Sequence, residues 1–264
     1  MSLNTVGSIN TVKTRLKRGD KTAGAFLQLT SNISAEIMAR AGFDWLMIDM
    51  EHAPGDYANL LLQQQAMQGT GVIPFVRAAA NDAVAIKKIL DTGTQGVLIP
   101  HVNNRAEAEH AVAACKYPPL GIRGAAGSPR AAGYGQNVQQ YLAQANDDIA
   151  VVVAVETPEA VDNIDAIVEV PDLDGIFIGP MDLATSMGFP GEPGRPEVKQ
   201  AIECIEAAVL ASDKFLGTVT SHWEQAERLY QRGYQWLVLM QDTTALAAMG
   251  AEVMARFHQL YGAR

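Results

Sequence analysis

Through most of its length this chain repeats one local pattern: a short apolar run rich in β-branched residues, a polar turn, and then a stretch of helical periodicity. Runs at 22–29, 45–50, 72–78, 96–102, 149–157, 173–178, 215–220 and 236–240 read as strands, separated by helical spacing. The run Ile149-Ala-Val-Val-Val-Ala-Val155 is apolar without alternation, the mark of a parallel strand covered on both faces. Eight strand-then-helix units in succession point to a (β/α)8 TIM barrel rather than an open doubly wound sheet, and 264 residues suit such a fold as a single domain over 1–264. No Gly-x-Gly-x-x-Gly follows the first strand, so the main sign of a dinucleotide fold is missing.

Helices are expected from Ser34, whose hydroxyl can cap the free amides, and over 57–68, 82–92, 105–116, 158–168, 197–210, 224–232 and 244–260. A short opening helix over 8–18 closes the bottom of the domain. One long irregular segment, at about 117–137, carries Pro118, Pro119, Gly121, Gly124, Gly127, Pro129, Gly133 and Gly135. It is much longer than an ordinary connection, and such loops are often functional.

In this fold the active site is built at the carboxyl ends of the strands. The titratable residues there are Asp49, Glu51 and His52 after the second strand, Arg77 after the third, Glu156 after the fifth, Asp182 after the sixth and Asp242 after the eighth. Glu156 is the hardest to explain structurally, because it follows seven small apolar residues and a buried carboxylate needs a partner or a metal. Together with Asp182 it offers oxygen ligation suited to Mg2+ or Mn2+. Asp182 also opens Asp-Leu-Ala-Thr-Ser and serves equally as a helix cap. His52, in Glu-His-Ala-Pro, is placed to act as a base or to make a local loop hydrogen bond. Arg77 ends an apolar strand and supplies a fixed cation for a carboxylate or an enolate oxygen.

None of the lysines falls at the carboxyl end of a strand, which argues against a Schiff-base mechanism. Residues 218–223 and 241–244 lack the glycines of a phosphate cradle, so a carboxylate substrate is expected before a sugar phosphate. A net charge of −9 argues against a nucleic-acid footprint, and no run approaches 18 apolar residues, so no membrane span is expected. The polar opening segment and two widely separated cysteines, Cys115 and Cys204, lead us to expect a cytoplasmic protein with free thiols.

Several longer motifs carry a resemblance: Ile48-Asp-Met-Glu-His-Ala-Pro54, Val76-Arg77, Leu90-Asp-Thr-Gly-Thr-Gln95, Tyr117-Pro-Pro-Leu-Gly-Ile-Arg-Gly124, Val155-Glu-Thr157 and Ile178-Gly-Pro-Met-Asp-Leu183. In this order, over nearly the whole chain, they resemble the HpcH/HpaI aldolase family, the metal-dependent pyruvate aldolases acting on 4-hydroxy-2-oxoheptanedioate. The resemblance implies a class II aldolase that reversibly cleaves a 4-hydroxy-2-oxo acid to pyruvate and an aldehyde with Mg2+, Mn2+ or Co2+. Glu156 and Asp182 would hold the metal, with Asp182 also at the substrate. Arg77 would steady the enolate, His52 would be the base oriented by Asp91, and Arg123 would stand near the substrate mouth. A hexamer is implied as well, and the apolar last helix, with Leu246, Met249, Val253 and Met254, is a candidate contact between subunits or with its own barrel. The family often has glutamine where this chain has Ala154, and His101 has no assigned role. A CoA-ester lyase or 2-oxo-diacid decarboxylase of the same superfamily is the nearest alternative. A barrel that binds carboxylates without turnover is the alternative from another class.

Overall fold

The structure is a computed structural model, and it describes residues 10–220 and 222–262. Its elements run α1 (Thr11–Lys17), β1 (Thr22–Leu27), α2 (Asn32–Arg40), β2 (Trp45–Asp49), α3 (Tyr57–Ala66), β3 (Ile73–Arg77), α4 (Ala83–Asp91), β4 (Gly96–Ile99) and α5 (Arg105–Cys115). A 3-10 turn (Arg130–Gly135) follows in the long segment, then α6 (Val138–Asp148), β5 (Ala150–Val155), α7 (Pro158–Asp162), α8 (Ile164–Val168), β6 (Gly175–Ile178), α9 (Pro180–Ser186), α10 (Pro196–Leu210), β7 (Phe215–Val219), α11 (Trp223–Gln231), β8 (Trp236–Gln241) and α12 (Asp242–Tyr261). All eight strands pair in parallel with their sequence neighbours, and β1 pairs with β8, closing the expected barrel.

Several expectations need correction. The second helix begins at Asn32, and its cap is Ser31, whose hydroxyl accepts from the Ser34 amide at 3.3 Å; the Ser34 hydroxyl instead donates to Asp242 Oδ2 at 2.7 Å. Residues 138–148 form a helix, α6, which is not among the helices expected from the sequence. The helix expected over 158–168 is broken at Asn163. Ser8 and Ile9, the start of the expected opening helix, lie outside the described residues; within them Asn10 caps α1 through the Lys13 amide.

Two shells of apolar side chains follow from the alternation of each strand. On β5, Val151, Val153 and Val155 join the layer under the helices, whereas Ala150, Val152 and Ala154 face the barrel interior. That interior is filled by Trp45 stacked on Trp236 at 4.4 Å, ringed by Phe75, Phe177 and Phe215. The rings fit because glycine faces them: a Cβ at Gly24 would collide with the Trp45 indole, and one at Gly96 with the Phe75 ring. The barrel is therefore a packed core with no through-channel, and chemistry is confined to its ends.

The lower end is sealed. Asn10 Nδ2 donates to the Gln95 carbonyl at 2.8 Å, and Lys13 Nζ donates to the Ile149 carbonyl at 2.8 Å while standing 2.9 Å from Asp174. The same alternation carries up the strands, so the residues after Met47, Phe75 and Ala154 on the inner face are Asp49, Arg77 and Glu156.

Candidate active site

Register makes the first part of the site. Asp49 and Arg77 are paired positions on β2 and β3, both inward, and their side chains meet in a two-pronged ion pair. Arg77 Nε donates to Asp49 Oδ1 at 2.9 Å and Nη2 to Oδ2 at 2.6 Å. Gln28 Nε2 adds a bond to Oδ2 at 2.8 Å, and the amides of Glu51 and His52 bond to Oδ1. Burial alone would raise the Asp49 carboxyl, but the Arg77 and Gln28 hydrogen bonds outweigh it and hold the group below the usual range. With its charge fixed and its guanidinium laid 4.6 Å from the centre of the Phe26 ring, Arg77 has little freedom to move.

The second part is acidic. Glu156 is buried at the tip of β5, and its Oε1 accepts the His101 amide at 2.8 Å. Gly179, at the tip of β6, leaves room beside it: a Cβ there would stand 2.5 Å from Glu156 Oε2 and 3.4 Å from Asp182 Oδ2. Glu156 and Asp182 thus border one space. Asp182 lies in the first turn of α9, where the cap residue is Gly179 and no side chain caps the helix, so Asp182 does not serve as the cap. Glu51 completes the group, with Oε2 3.3 Å from Arg77 Nε and 3.7 Å from His52 Nε2. Ligand atoms of Glu51, His101 and Glu156 all lie within 4.8 Å of one another.

Electrostatics distinguish these acids from Asp49. Burial raises the Glu156 carboxyl; the His101 amide offsets part of this, while Asp182 and Glu51 add to it. Burial also raises Glu51, against the opposing pull of Arg77 and His52. Among the described residues, no lysine or arginine ion-pairs with Glu156 or Asp182. A buried acid flanked by two half-buried ones, in excess of cations, fits a divalent ion, and carboxylate oxygens suit a hard one.

The remaining expectations divide. His52 stands at the mouth, more than half exposed, and the carboxylate beside it is Glu51. Asp91 is not brought to His52 within the chain: it ends α4 and pairs with Arg123 at 2.8 Å. Arg123 has a fully buried side chain between Tyr117 and Tyr141, with its guanidinium carbon 4.5 and 5.5 Å from their ring centres. In one chain this pair anchors the long loop to α4 and does not open on the acid cluster. Asp242 is structural, accepting from the Gln28 amide at 2.8 Å, the Leu29 amide at 3.3 Å and the Ser34 hydroxyl. From the sequence alone Glu51 has no stated role and His101 no assignment. The signal that was present is that each lies at or just past the end of a strand neighbouring one that carries a recognised site residue.

Comparison with known proteins agrees with this architecture. A model of the HpcH/HpaI aldolase/citrate lyase family matches residues 22–248. The chain is 43% identical over 248 residues to a 4-hydroxy-2-oxo-heptane-1,7-dioate aldolase of Salmonella dublin, covering 94% of each chain. It is 42% identical to the enzyme of that name from Escherichia coli, covering 94% of this chain and 95% of that one. Among solved structures, an HpcH/HpaI aldolase/citrate lyase family protein from Burkholderia cenocepacia J2315 superposes with a TM-score of 0.90 at 33% identity, over 94% of this chain and 99% of the other. A barrel of matching connectivity with acids gathered at its carboxyl mouth, and similarity that runs nearly end to end, have one reading: the chain belongs to the HpcH/HpaI aldolase/citrate lyase family.

Proposed function

We propose that this protein is a divalent-metal-dependent class II aldolase, a carbon–carbon lyase that reversibly cleaves a 4-hydroxy-2-oxo acid to pyruvate and an aldehyde. The observation that carries the reading is the pair of acids Glu156 and Asp182, which no lysine or arginine neutralises among the described residues, beside Glu51 and an arginine locked by Asp49, in a chain 43% identical to a named aldolase. Glu156 and Asp182 would hold Mg2+, Mn2+ or Co2+, which when bound supplies Lewis acidity toward the 2-oxo acid. His52 takes the proton of the 4-hydroxyl. As the C3–C4 bond breaks, its electron pair moves to C3 and C4 becomes the aldehyde carbonyl. The guanidinium of Arg77 meets the negative charge that collects on the enolate oxygen, and it needs no reorganisation because Asp49 already fixes it. Return of a proton to C3 gives pyruvate. Glu51, between Arg77 and His52, steadies both cationic groups during the transfer.

Two further features belong to this reading. The face of α12 bearing Leu246, Met249, Val253, Met254, Phe257 and Leu260 is exposed in the single chain, which supports self-association through this helix, with a hexamer as the expected state. Unpaired Cys115 and Cys204 support placement in a reducing cytoplasm. The test is release of pyruvate from 4-hydroxy-2-oxo acids of differing chain length, abolished by chelator and restored by each metal. Covalent trapping of pyruvate on the protein by borohydride would contradict the metal mechanism.

A further inference from the structure

One imidazole at the mouth has no part in the cleavage just described. The chain leaves β4 through Pro100, and at His101 the backbone enters the left-handed region at φ 53. A non-glycine residue there is strained and persists only where its surroundings impose it. Here the turn does two things at once: it aims the His101 amide at Glu156 Oε1, 2.8 Å away, and it sets the imidazole Nδ1 3.9 Å from the same oxygen. The ring is more than half exposed, and among the described residues it makes no hydrogen bond that would hold it elsewhere.

Donor atoms about 2.1 Å from a shared ion stand roughly 3 Å apart at right angles and roughly 4.2 Å apart when opposite. The 3.9 Å between Nδ1 and Glu156 Oε1 falls between these values, so the ring and this carboxylate are spaced to hold one ion, and the exposed ring is free to adjust. Glu51, the third member of the group, is held by Arg77 at 3.3 Å and is the less free of the two neighbours.

We propose that His101 contributes a ring nitrogen to the divalent metal bound by Glu156 and Asp182, making the centre a mixed nitrogen–oxygen site that prefers Co2+ to Mg2+. The inference rests on the metal-site reading above and deepens it. Carboxylates and water suit Mg2+, whereas imidazole adds far more to the binding of Co2+, Ni2+ or Zn2+ than to that of Mg2+.

The test uses full-length, chelator-stripped protein and the metals alone, without substrate. Calorimetric titration should show Co2+ binding at least about tenfold tighter than Mg2+. His101→Asn removes the imidazole while keeping a residue that tolerates a left-handed backbone. It should weaken Co2+ by at least about 10- to 100-fold, the loss that follows when only an outer-shell partner of a ligand is removed, and leave Mg2+ within about threefold. Pulsed EPR of the Mn2+-loaded wild type should show coupling to a ring nitrogen that the variant loses. Unchanged Co2+ affinity in His101→Asn, an equal loss of both metals, or no nitrogen coupling in the wild type would each overturn the assignment. Glu156→Gln separates the two levels: if it binds both metals as the wild type does, the metal-site reading itself fails, whereas if it loses both while His101→Asn changes neither, only the role of His101 fails.

Discussion

The two ends of the barrel bury charge in opposite ways. At the bottom, Lys13 lies 2.9 Å from Asp174, with Lys17 3.6 Å from the same acid, and the lysine and carboxylate also bond to the Ile149 carbonyl and the Val151 amide. There Lys13 and Asp174 each find a counter-charge on the chain. At the mouth, Asp49 and Arg77 neutralise each other, but among the described residues Glu156 and Asp182 have no lysine or arginine of their own and Glu51 shares one that is already engaged. Burying an unpaired carboxylate is costly, so an arrangement that does so is built for a cation from outside. Burial of charge by itself is no sign of function; the imbalance is the sign.

Glu156→Gln probes that contrast most severely. It should abolish metal binding and lower the rate of pyruvate release by about 10³-fold, the upper end of what one lost electrostatic contact costs. Because the lost carboxylate has no lysine or arginine partner among the described residues, the metal-free variant should unfold at or above the wild-type temperature. A variant that melts well below metal-free wild type would mean that Glu156 has an unseen structural partner, and the contrast between the ends would collapse.

Lys13→Met is the mirror experiment. Removing one member of a buried pair should cost about 3–5 kcal/mol in denaturant unfolding and leave the affinity for metal unchanged, since α1 lies at the far end of a packed core. If metal affinity fell with stability, the two ends would be coupled and not independent.

How much of this was legible beforehand follows the same division. The strands were readable because each is a continuous apolar run, and Glu156 stood out because it ends the longest of them. The alternation along β5, Ala150, Val152, Ala154 and then Glu156, also dictates that the acid faces inward, and it places Ala154 directly below. What local sequence does not contain is pairing across strands. Asp49 and Arg77 are 28 residues apart, and His101 and Glu156 are 55 apart, joined only by the barrel's register and by a left-handed turn at a histidine. Asp91 and Arg123 show the converse: motif matching brought them to the site, whereas packing against Tyr117 and Tyr141 sets them beside the loop. Ser34 lost its capping role to Ser31 by a shift of one turn, because Asp242, over two hundred residues away, claims its hydroxyl.

Arg77→Lys asks whether the neutralised half of the mouth works by charge or by geometry. Lysine keeps the charge but cannot grip both Asp49 oxygens, so the cation loses its fixed position. Turnover should fall by about 10²-fold with little change in metal affinity, measured by steady-state kinetics beside metal titration. Full activity would show that the two-pronged grip of Asp49 is dispensable.

The smallest effect lies in the pH dependence of the sealed end. Burial depresses the Lys13 ammonium from 10.5 to about 8; Asp174 opposes this, and Lys116 and Lys17 reinforce it. Asp148 is the other charged group facing this lysine, and burial raises its carboxyl. A base whose folded-state value is depressed leaves the unfolded chain holding more protons between the two values, so stability rises with pH there and is lost as pH falls toward 8. The wild type's advantage over Lys13→Met should therefore widen between about pH 8 and 10.5, by at most about 1.4 kcal/mol per pH unit, in denaturant titrations run on both proteins. Taking the difference cancels groups that titrate alike in the two chains. A flat difference would mean that Lys13 keeps its proton through this range, held by Asp174 more strongly than burial expels it, and the bottom of the barrel would then be a fully charged pair.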